Sequence, residues 1–178
     1  MLMTPGPTAL PPSVKEAMSR DLVNPDVDPA FRDVYGRVTA RLASVYDTDD
    51  DVVVLGGEGI LGLEAAVAST VAPGDEVLCL SNGLYGDGFA DFAENYGAEA
   101  TLVGADYDAP LDLDALDAAL ADGEYDVATM VHCETPTGTL NDLEPALERL
   151  ADHGALTVVD AVSSLGGTPV PSDLVDIC

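Results

Sequence analysis

Short apolar runs alternate with amphipathic stretches from residue 51 onward, and this rhythm constrains the fold more than any other feature of the sequence. Each run has the length of a buried strand, and each stretch between runs has the apolar spacing of a helix. Strands that alternate with helices form a mostly parallel sheet with helices on both faces. The sequence therefore predicts an α/β fold, a three-layer sandwich. The runs are VVVL (52–55), VLCL (77–80), ATLV (100–103), VATMV (127–131) and ALTVV (155–159).

The helices between these runs have clear end signals. Asp side chains near helix starts accept hydrogen bonds from free backbone N–H groups, and glycines just past helix ends allow the left-handed closing turn. Two further helices precede the first run, a short one beginning at Ser13 and a longer one over 28–46. The longer helix has one apolar face at helical spacing. The predicted helices of the α/β part are 60–71, 87–96, 112–121 and 142–153.

The first 26 residues differ in composition from the rest. Pro5, Pro7, Pro11 and Pro12 fix the backbone and remove hydrogen-bond donors. We therefore expect an extended arm and a short helix over residues 1–26. Residues 27–178 have the length of one α/β domain or part of one.

The charge balance is strongly acidic. The 178 residues contain 33 Asp and Glu against 6 Lys and Arg, a net charge of −27, and no Lys or Arg lies between Leu42 and Glu148. Nucleic acid needs a basic surface, so it is excluded as a partner. Repulsion at this density destabilises a compact chain unless salt screens it. We expect the cytoplasm of a halophile, and an acidic cation-binding surface is the alternative.

Membrane, disulfide and metal sites have no support in the sequence. No apolar run approaches the roughly 18 residues of a membrane helix, and no signal peptide opens the chain, so we expect a cytoplasmic protein without membrane contact. Cys79, Cys133 and Cys178 are widely spaced and odd in number, which fits neither a disulfide framework nor a metal site.

A glycine-rich loop, GGEGILG (56–62), follows the first run. Gly57, Gly59 and Gly62 match G-x-G-x-x-G between a strand and a helix, where free N–H groups and the helix dipole favour an anion. A dinucleotide site also needs an acidic residue at the end of the next strand, and none stands there. The loop predicts phosphate binding, and a dinucleotide site or a purely structural turn remain alternatives.

Three later loops also follow apolar runs. SNGLYGD (81–87) contains Tyr85, which fits either a core position or a ring that stacks on a flat ligand. HCETPTG (132–138) concentrates polar groups, although His132 alone is more often structural than catalytic. Asp160 closes the last run, and a buried carboxylate there needs a partner such as a protonated heteroaromatic nitrogen.

Read in order, TPGPTALPP, GGEGILGLEAA, SNGLYGD, HCETPTG and DAVSSLGG resemble the class V branch of the fold-type-I pyridoxal-phosphate enzymes. The resemblance is closest to the serine–pyruvate and alanine–glyoxylate aminotransferases. It implies that 27–178 is the N-terminal part of the large cofactor-binding domain. The rest of that domain and the small C-terminal domain would then be missing.

The resemblance also implies a cofactor site for pyridoxal phosphate. Asp160, the catalytic residue, pairs with the pyridine nitrogen, keeps it protonated and so makes the ring an electron sink. Tyr85 and Val162 pack on the two ring faces, and Glu58 replaces a small hydroxyl residue and is expected to turn outward or to pair. The implied cofactor residues are Glu58, Gly59, Ile60, Tyr85, Thr135, Thr137, Asp160 and Val162, and the substrate is bordered by Pro5, Gly6 and Pro7.

The Schiff-base lysine of the family lies in a later strand-end loop, beyond Cys178. Lys15, in the arm, is the only lysine of the sequence, so we expect this chain to be inactive alone. The expected reaction of the enzyme is transamination of alanine or serine with glyoxylate or pyruvate, in a homodimer. Two alternatives are a non-catalytic cofactor-binding or dimerisation fragment, and a class V enzyme of the aminoethylphosphonate transaminase or cysteine desulfurase type.

Overall fold

A computed structural model describes residues 6–21 and 23–178 of the chain. By internal contacts the chain divides into two units, one over Met1–Val45 and Asp49–Val54, the other over Tyr46–Thr48 and Leu55–Cys178. The predicted boundary at residue 26 stays a prediction. Within the described ranges, no helix has both the length and the apolar composition that a membrane span requires.

The first unit is helical, as the sequence predicts. Helix α1 spans Pro12–Met18 and helix α2 spans Pro29–Tyr46, whose last residue belongs to the second unit. The Asp28 carboxylate starts α2 by accepting a hydrogen bond of 2.9 Å from the backbone N–H of Ala30. The apolar face of α2 is present, yet none of its described side chains is buried.

The second unit contains a parallel sheet. Its described strands are β1 (Glu76–Ser81), β2 (Glu99–Gly104), β3 (Val127–Val131) and β4 (Leu156–Asp160), in the order β2-β1-β3-β4. Beyond β4, the backbone N–H of Val159 donates to the carbonyl of Ile177 at 2.8 Å, which continues the parallel pairing past that strand.

Helices cover both faces of this sheet. Helices α3 (Gly59–Thr70) and α4 (Leu84–Asn95) lie on one face, and α5 (Leu113–Asp122) and α6 (Glu144–His153) lie on the other. The Asp112 carboxylate caps α5 by accepting from the N–H of Ala115 at 2.9 Å, and Gly154 closes α6 with a φ of 91°. These are the end signals that the sequence predicts.

Two apolar cores confirm the three-layer arrangement, because alternate strand residues enter opposite cores. Val77 and Cys79 of β1 pack with Phe89 of α4, whereas Leu78 and Leu80 of the same strand pack with the α5 and α6 side. Such two-sided burial explains why the strands read as continuous apolar runs. The core under α5 and α6 includes Leu78, Leu80, Leu116, Ala128, Met130, Leu147, Leu150 and Val159.

One predicted strand is wrong. Residues 52–55 have no strand conformation, and Val53 is 72% exposed. A strand exists only where a neighbouring strand takes its backbone hydrogen bonds, and none of the described strands pairs with this run. The apolar pattern shows that the run is hydrophobic, but it does not show whether a neighbouring strand is available to pair with it.

The start of α4 also differs from the prediction. The helix begins at Leu84, three residues before Asp87, where an acidic cap signal stands in the sequence. The reason is tertiary, because the first N–H groups of the helix bond to Glu134 in a distant loop. Asp87 instead accepts hydrogen bonds from the hydroxyls of Ser81 (2.6 Å) and Tyr107 (2.7 Å).

Candidate active site

The order of the strands creates a crevice at one edge of the sheet. The chain leaves β1 through α4 on one face and enters β3 through α5 on the other, so the connections diverge between these two strands. In open α/β sheets, ligands bind outside the carboxyl ends of the strands at such a switch point. Asp160 ends β4 at this edge, Thr135 lies in the loop after β3, and Tyr85 lies in the first turn of the helix that follows β1.

Asp160 ends β4 and is only 6% exposed. Its Oδ1 accepts a hydrogen bond of 2.8 Å from the backbone N–H of Val162. Burial raises the pKa of the Asp160 carboxyl, the Val162 N–H opposes that rise, and the charge of Glu134 adds to it. A carboxylate held this way gains from a cationic partner at the edge of the sheet.

The glycine loop lies beside the loop after β4. Gly59 is the first residue of α3, and a Cβ built on it would stand 3.7 Å from a methyl of Val162. The N–H groups at the start of α3 are thus next to the loop that carries Asp160. Ile60 is half-exposed, and Glu58 is exposed at the N-cap without a side-chain cap hydrogen bond.

Tyr85 lies in the first turn of α4, partly buried against the core that contains Leu63, Val131 and Val158. Its backbone N–H donates to Oε2 of Glu134 at 3.3 Å, and the N–H of Gly86 donates to Oε1 at 2.8 Å. The structure therefore brings the loop after β1 to the loop after β3. The stacking role of Tyr85 stays a prediction.

The loop after β3 is joined to the loop after β4. The hydroxyl of Thr135 is hydrogen-bonded to the hydroxyl of Ser163. Thr137 faces its own loop, with its hydroxyl 2.9 Å from that of Thr139. Thr135 is thus bonded to the loop that follows Asp160, whereas the hydrogen bonds of Thr137 are to Thr139 in its own loop.

Two side chains that link these loops were missed by the sequence reasoning. Glu134 and Ser163 each sit inside a motif that the sequence singles out, but neither has a chemical role there until its partner is known. A signal for Glu134 was present, since a carboxylate directly after a buried strand needs donors. Its donors lie 48 and 49 residues away in the chain, and the sequence does not place them.

A buried amide pair supports the same edge. Asn82 and Asn141 exchange two side-chain hydrogen bonds of 2.8 and 3.0 Å. Asn82 also donates to the carbonyl of Ala109, and Asn141 donates to that of Val131. The pair joins the loops after β1 and β3, and the amide groups of both side chains are hydrogen-bonded, which restricts the relative movement of the two loops.

Two further candidate residues, His132 and Cys79, are buried. His132 is buried, burial lowers its pKa, and its Nδ1 has no hydrogen-bond partner among the described residues. Burial raises the pKa of Cys79 to about 11, so it stays a thiol in the core.

Pro5 lies outside the described residues, while Gly6 and Pro7 belong to the first unit and are exposed. Within the described ranges, no metal-binding cluster of His, Cys, Asp or Glu is found.

These groups fit the cofactor that the resemblance implies. A buried carboxylate suits a protonated ring nitrogen, and the N–H groups that begin α3 suit a phosphate. Arg149, the only cation between Leu42 and the end of the chain, is paired with Asp117 at 2.7 Å. A phosphate held by these residues therefore depends on backbone N–H groups rather than on a basic side chain.

Comparison with known proteins gives a consistent answer. The sequence model of the class V aminotransferases matches residues 2–177. The pyridoxamine–pyruvate transaminase of Mesorhizobium japonicum is 37% identical over 166 residues, which are 93% of this chain and 42% of that protein. The 2-aminoethylphosphonate–pyruvate transaminase of Lactiplantibacillus plantarum is 34% identical, over 99% of this chain and 49% of that protein.

Solved structures agree with the sequence comparison. The alanine–glyoxylate aminotransferase from Nostoc sp. superposes with a TM-score of 0.90 at 34% identity, covering 96% of this chain and 45% of that one. The chain thus spans about half the length of the relatives it matches. On the match of nearly all its residues to the family, this chain belongs to the class V aminotransferases.

Proposed function

We propose that these residues are the cofactor-binding part of an aminotransferase that moves an amino group from a small amino acid, alanine or serine, to glyoxylate or pyruvate. Class V aminotransferases depend on pyridoxal phosphate. The observation that carries the proposal is Asp160, a buried carboxylate at the carboxyl end of β4, whose hydrogen-bond partner Val162 lies next to the helix start at Gly59. When bound, the cofactor supplies an electron sink for the amino-group exchange.

Asp160 has the central role in this proposal. Its carboxylate would hold a proton on the pyridine nitrogen, because a buried anion stabilises a neighbouring cation strongly. The Val162 N–H orients the carboxylate through Oδ1. The burial that raises the pKa of Asp160 also excludes water from this contact.

The start of α3 would bind the phosphate. The N–H groups of Gly59 and Ile60 lie at the positive end of a 12-residue helix, where an anion is favoured. Glu58 would point to solvent, as its exposure suggests. Tyr85 and Val162 would enclose the ring, and the hydroxyls of Thr135 and Thr137 would reach the ring hydroxyl or the phosphate.

The names of the relatives support a 2-oxo acid acceptor. Two of them are named for pyruvate and one for glyoxylate. An amine on a phosphonate remains a second candidate donor, because a 34%-identical relative is a 2-aminoethylphosphonate transaminase. Pro5, Gly6 and Pro7 would border the substrate.

Three finer points belong to this proposal. We expect the Schiff-base lysine beyond residue 178, because the resemblance places it in a later loop and Lys15 lies in the first unit. We expect a homodimer. We also expect function in a salt-rich cytoplasm, because the net charge of −27 requires screening.

The test compares two chains. The 178 residues alone should bind pyridoxal phosphate reversibly without turnover. A longer chain, which adds the residues encoded downstream in the same reading frame, should convert alanine and glyoxylate to pyruvate and glycine. Parallel assays with serine, 2-aminoethylphosphonate and pyridoxamine would identify the donor. Turnover by the 178 residues alone would disprove the placement of the lysine, and an extended chain that binds no cofactor would disprove the function.

A further inference from the structure

The N-terminus of α4 has no cap of its own. Its N-cap residue is Gly83, which has no side chain to accept a hydrogen bond. The first N–H groups of a helix have no partner within the helix, and leaving them buried and unpaired is costly. The N–H groups of Tyr85 and Gly86 bond instead to the carboxylate of Glu134, from the loop after β3.

The carboxylate of Glu134 occupies a close-fitting position. The residue is 0% exposed, and a Cβ on Gly83 would overlap its carboxyl group. Its main chain is also held, since its N–H donates to the carbonyl of Thr139 at 3.0 Å and its carbonyl accepts from Gly138 at 2.7 Å. Hydrogen bonds from a helix start to a buried carboxylate are charge-assisted and follow the helix dipole.

Tyr85 is fixed by these contacts. Its N–H is one of the two bonded groups, and Gly86 follows it directly. A Cβ on Gly86 would stand 2.9 Å from the Cα of Ser81, so the glycine lets α4 approach the end of β1. Close contacts therefore fix the position of the main chain both before and after Tyr85.

Glu134 also spans the switch point between β1 and β3. The next residue, Thr135, is bonded to Ser163 in the loop after β4. A single segment thus connects the loop of Tyr85 to the loop of Asp160. The charge of Glu134 reaches Asp160 as well, since it contributes to the raised pKa of that carboxyl, after burial.

We propose that Glu134 is a positioning residue that fastens the start of α4 to the loop after β3 and thereby holds the Tyr85 ring over the cofactor site. The part that concerns the cofactor rests on the proposed function. Glu134 acts through the Tyr85 main chain, and its removal would let the helix start and the ring move together.

Two variants test this proposal independently. Glu134→Gln keeps the shape but removes the charge and turns one acceptor into a donor that faces an N–H group. Gly83→Ala leaves Glu134 intact and displaces its carboxyl by contact alone, because Gly83 has an extended φ of 178° that any residue adopts. The matched control is Asp112→Asn, which removes the charge of an exposed helix cap on α5 and keeps an amide oxygen that can accept from Ala115.

Two NMR measurements on the 178-residue chain, made in high salt, compare the variants with the wild type. By NMR hydrogen exchange, Glu134→Gln and Gly83→Ala should lower the protection of the Tyr85 and Gly86 amides by about 10- to 100-fold, the range expected for hydrogen bonds to a charged group. The nuclear Overhauser contacts of the Tyr85 ring with its core neighbours should weaken in both variants. In Asp112→Asn, the amides of Tyr85 and Gly86 should keep the protection that they have in the wild type.

Added pyridoxal phosphate provides a third readout. The visible circular dichroism per bound cofactor should fall in both variants and stay unchanged in Asp112→Asn, because it reports the orientation of the ring. Unchanged exchange at Tyr85 and Gly86 would overturn the proposal, and so would lost protection with unchanged Tyr85 ring contacts. A wild-type chain that binds no cofactor would count against the proposed function alone, since the ring contacts would still decide the role of Glu134.

Discussion

Asp160→Asn should change stability and cofactor affinity in opposite directions. The asparagine has nearly the same volume, and its amide oxygen can still accept the 2.8 Å hydrogen bond from the Val162 N–H. The substitution therefore removes the charge and little else. Because burial raises the pKa of Asp160, that charge destabilises the cofactor-free fold.

The expected magnitudes come from the burial of this group, which is 6% exposed. Removing a poorly compensated buried charge should stabilise the cofactor-free chain by about 1–3 kcal/mol near neutral pH. Losing a charge-assisted contact should weaken pyridoxal phosphate binding by about 10- to 100-fold.

The pH dependence has a defined sign. The folded pKa of Asp160 lies above its ordinary value of 3.8, so the unfolded chain releases this proton first as the pH rises. The destabilisation by wild-type Asp160 is then complete above the folded pKa. The difference in stability between the two proteins should disappear as the pH falls below the ordinary value.

The assay is urea unfolding followed by far-ultraviolet circular dichroism, with equilibrium dialysis of the cofactor, both in about 2 M KCl to screen the acidic surface. Asp176→Asn is a matched control, because Asp176 accepts hydrogen bonds from the N–H and hydroxyl of Thr157 at 2.8 and 2.9 Å at the other end of β4. The control should lose about 1–2 kcal/mol and keep its cofactor affinity. If Asp160→Asn behaved like the control, Asp160 would be a structural turn acceptor and the reasoning would be refuted.

Three further predictions concern the fold and the site. Because no cation lies between Leu42 and Glu148, the chain should unfold in low salt and fold cooperatively in about 2 M KCl, and cooperative unfolding at low salt would contradict this. Borohydride treatment with pyridoxal phosphate should leave no specifically labelled peptide by mass spectrometry, and stoichiometric labelling of Lys15 would place the nucleophile in this chain. A double-mutant cycle of Thr135→Val and Ser163→Ala should give a coupling of about 0.5–2 kcal/mol in urea unfolding, whereas additive effects would show that their hydrogen bond does not join the two loops.

Local pattern was enough to predict much of the fold. Four of the five apolar runs are strands of the sheet. Three of these strands, β1, β3 and β4, are buried on both faces and must therefore be apolar throughout. The sequence also predicted that Gly59 lies at a helix start and Asp160 at a strand end, where the structure has them. Such features depend on the residues of one segment and on their immediate neighbours.

Contacts between distant segments were decided by the tertiary structure. The run at 52–55 has the pattern of a strand but no pairing strand, and α4 begins at Leu84 because Glu134 supplies its cap from another loop. The bond between Thr135 and Ser163 joins two loops in the same way. Each of these depends on which strands lie side by side and in which register. That order follows from the packing of the whole sheet, so no window of the sequence contains it.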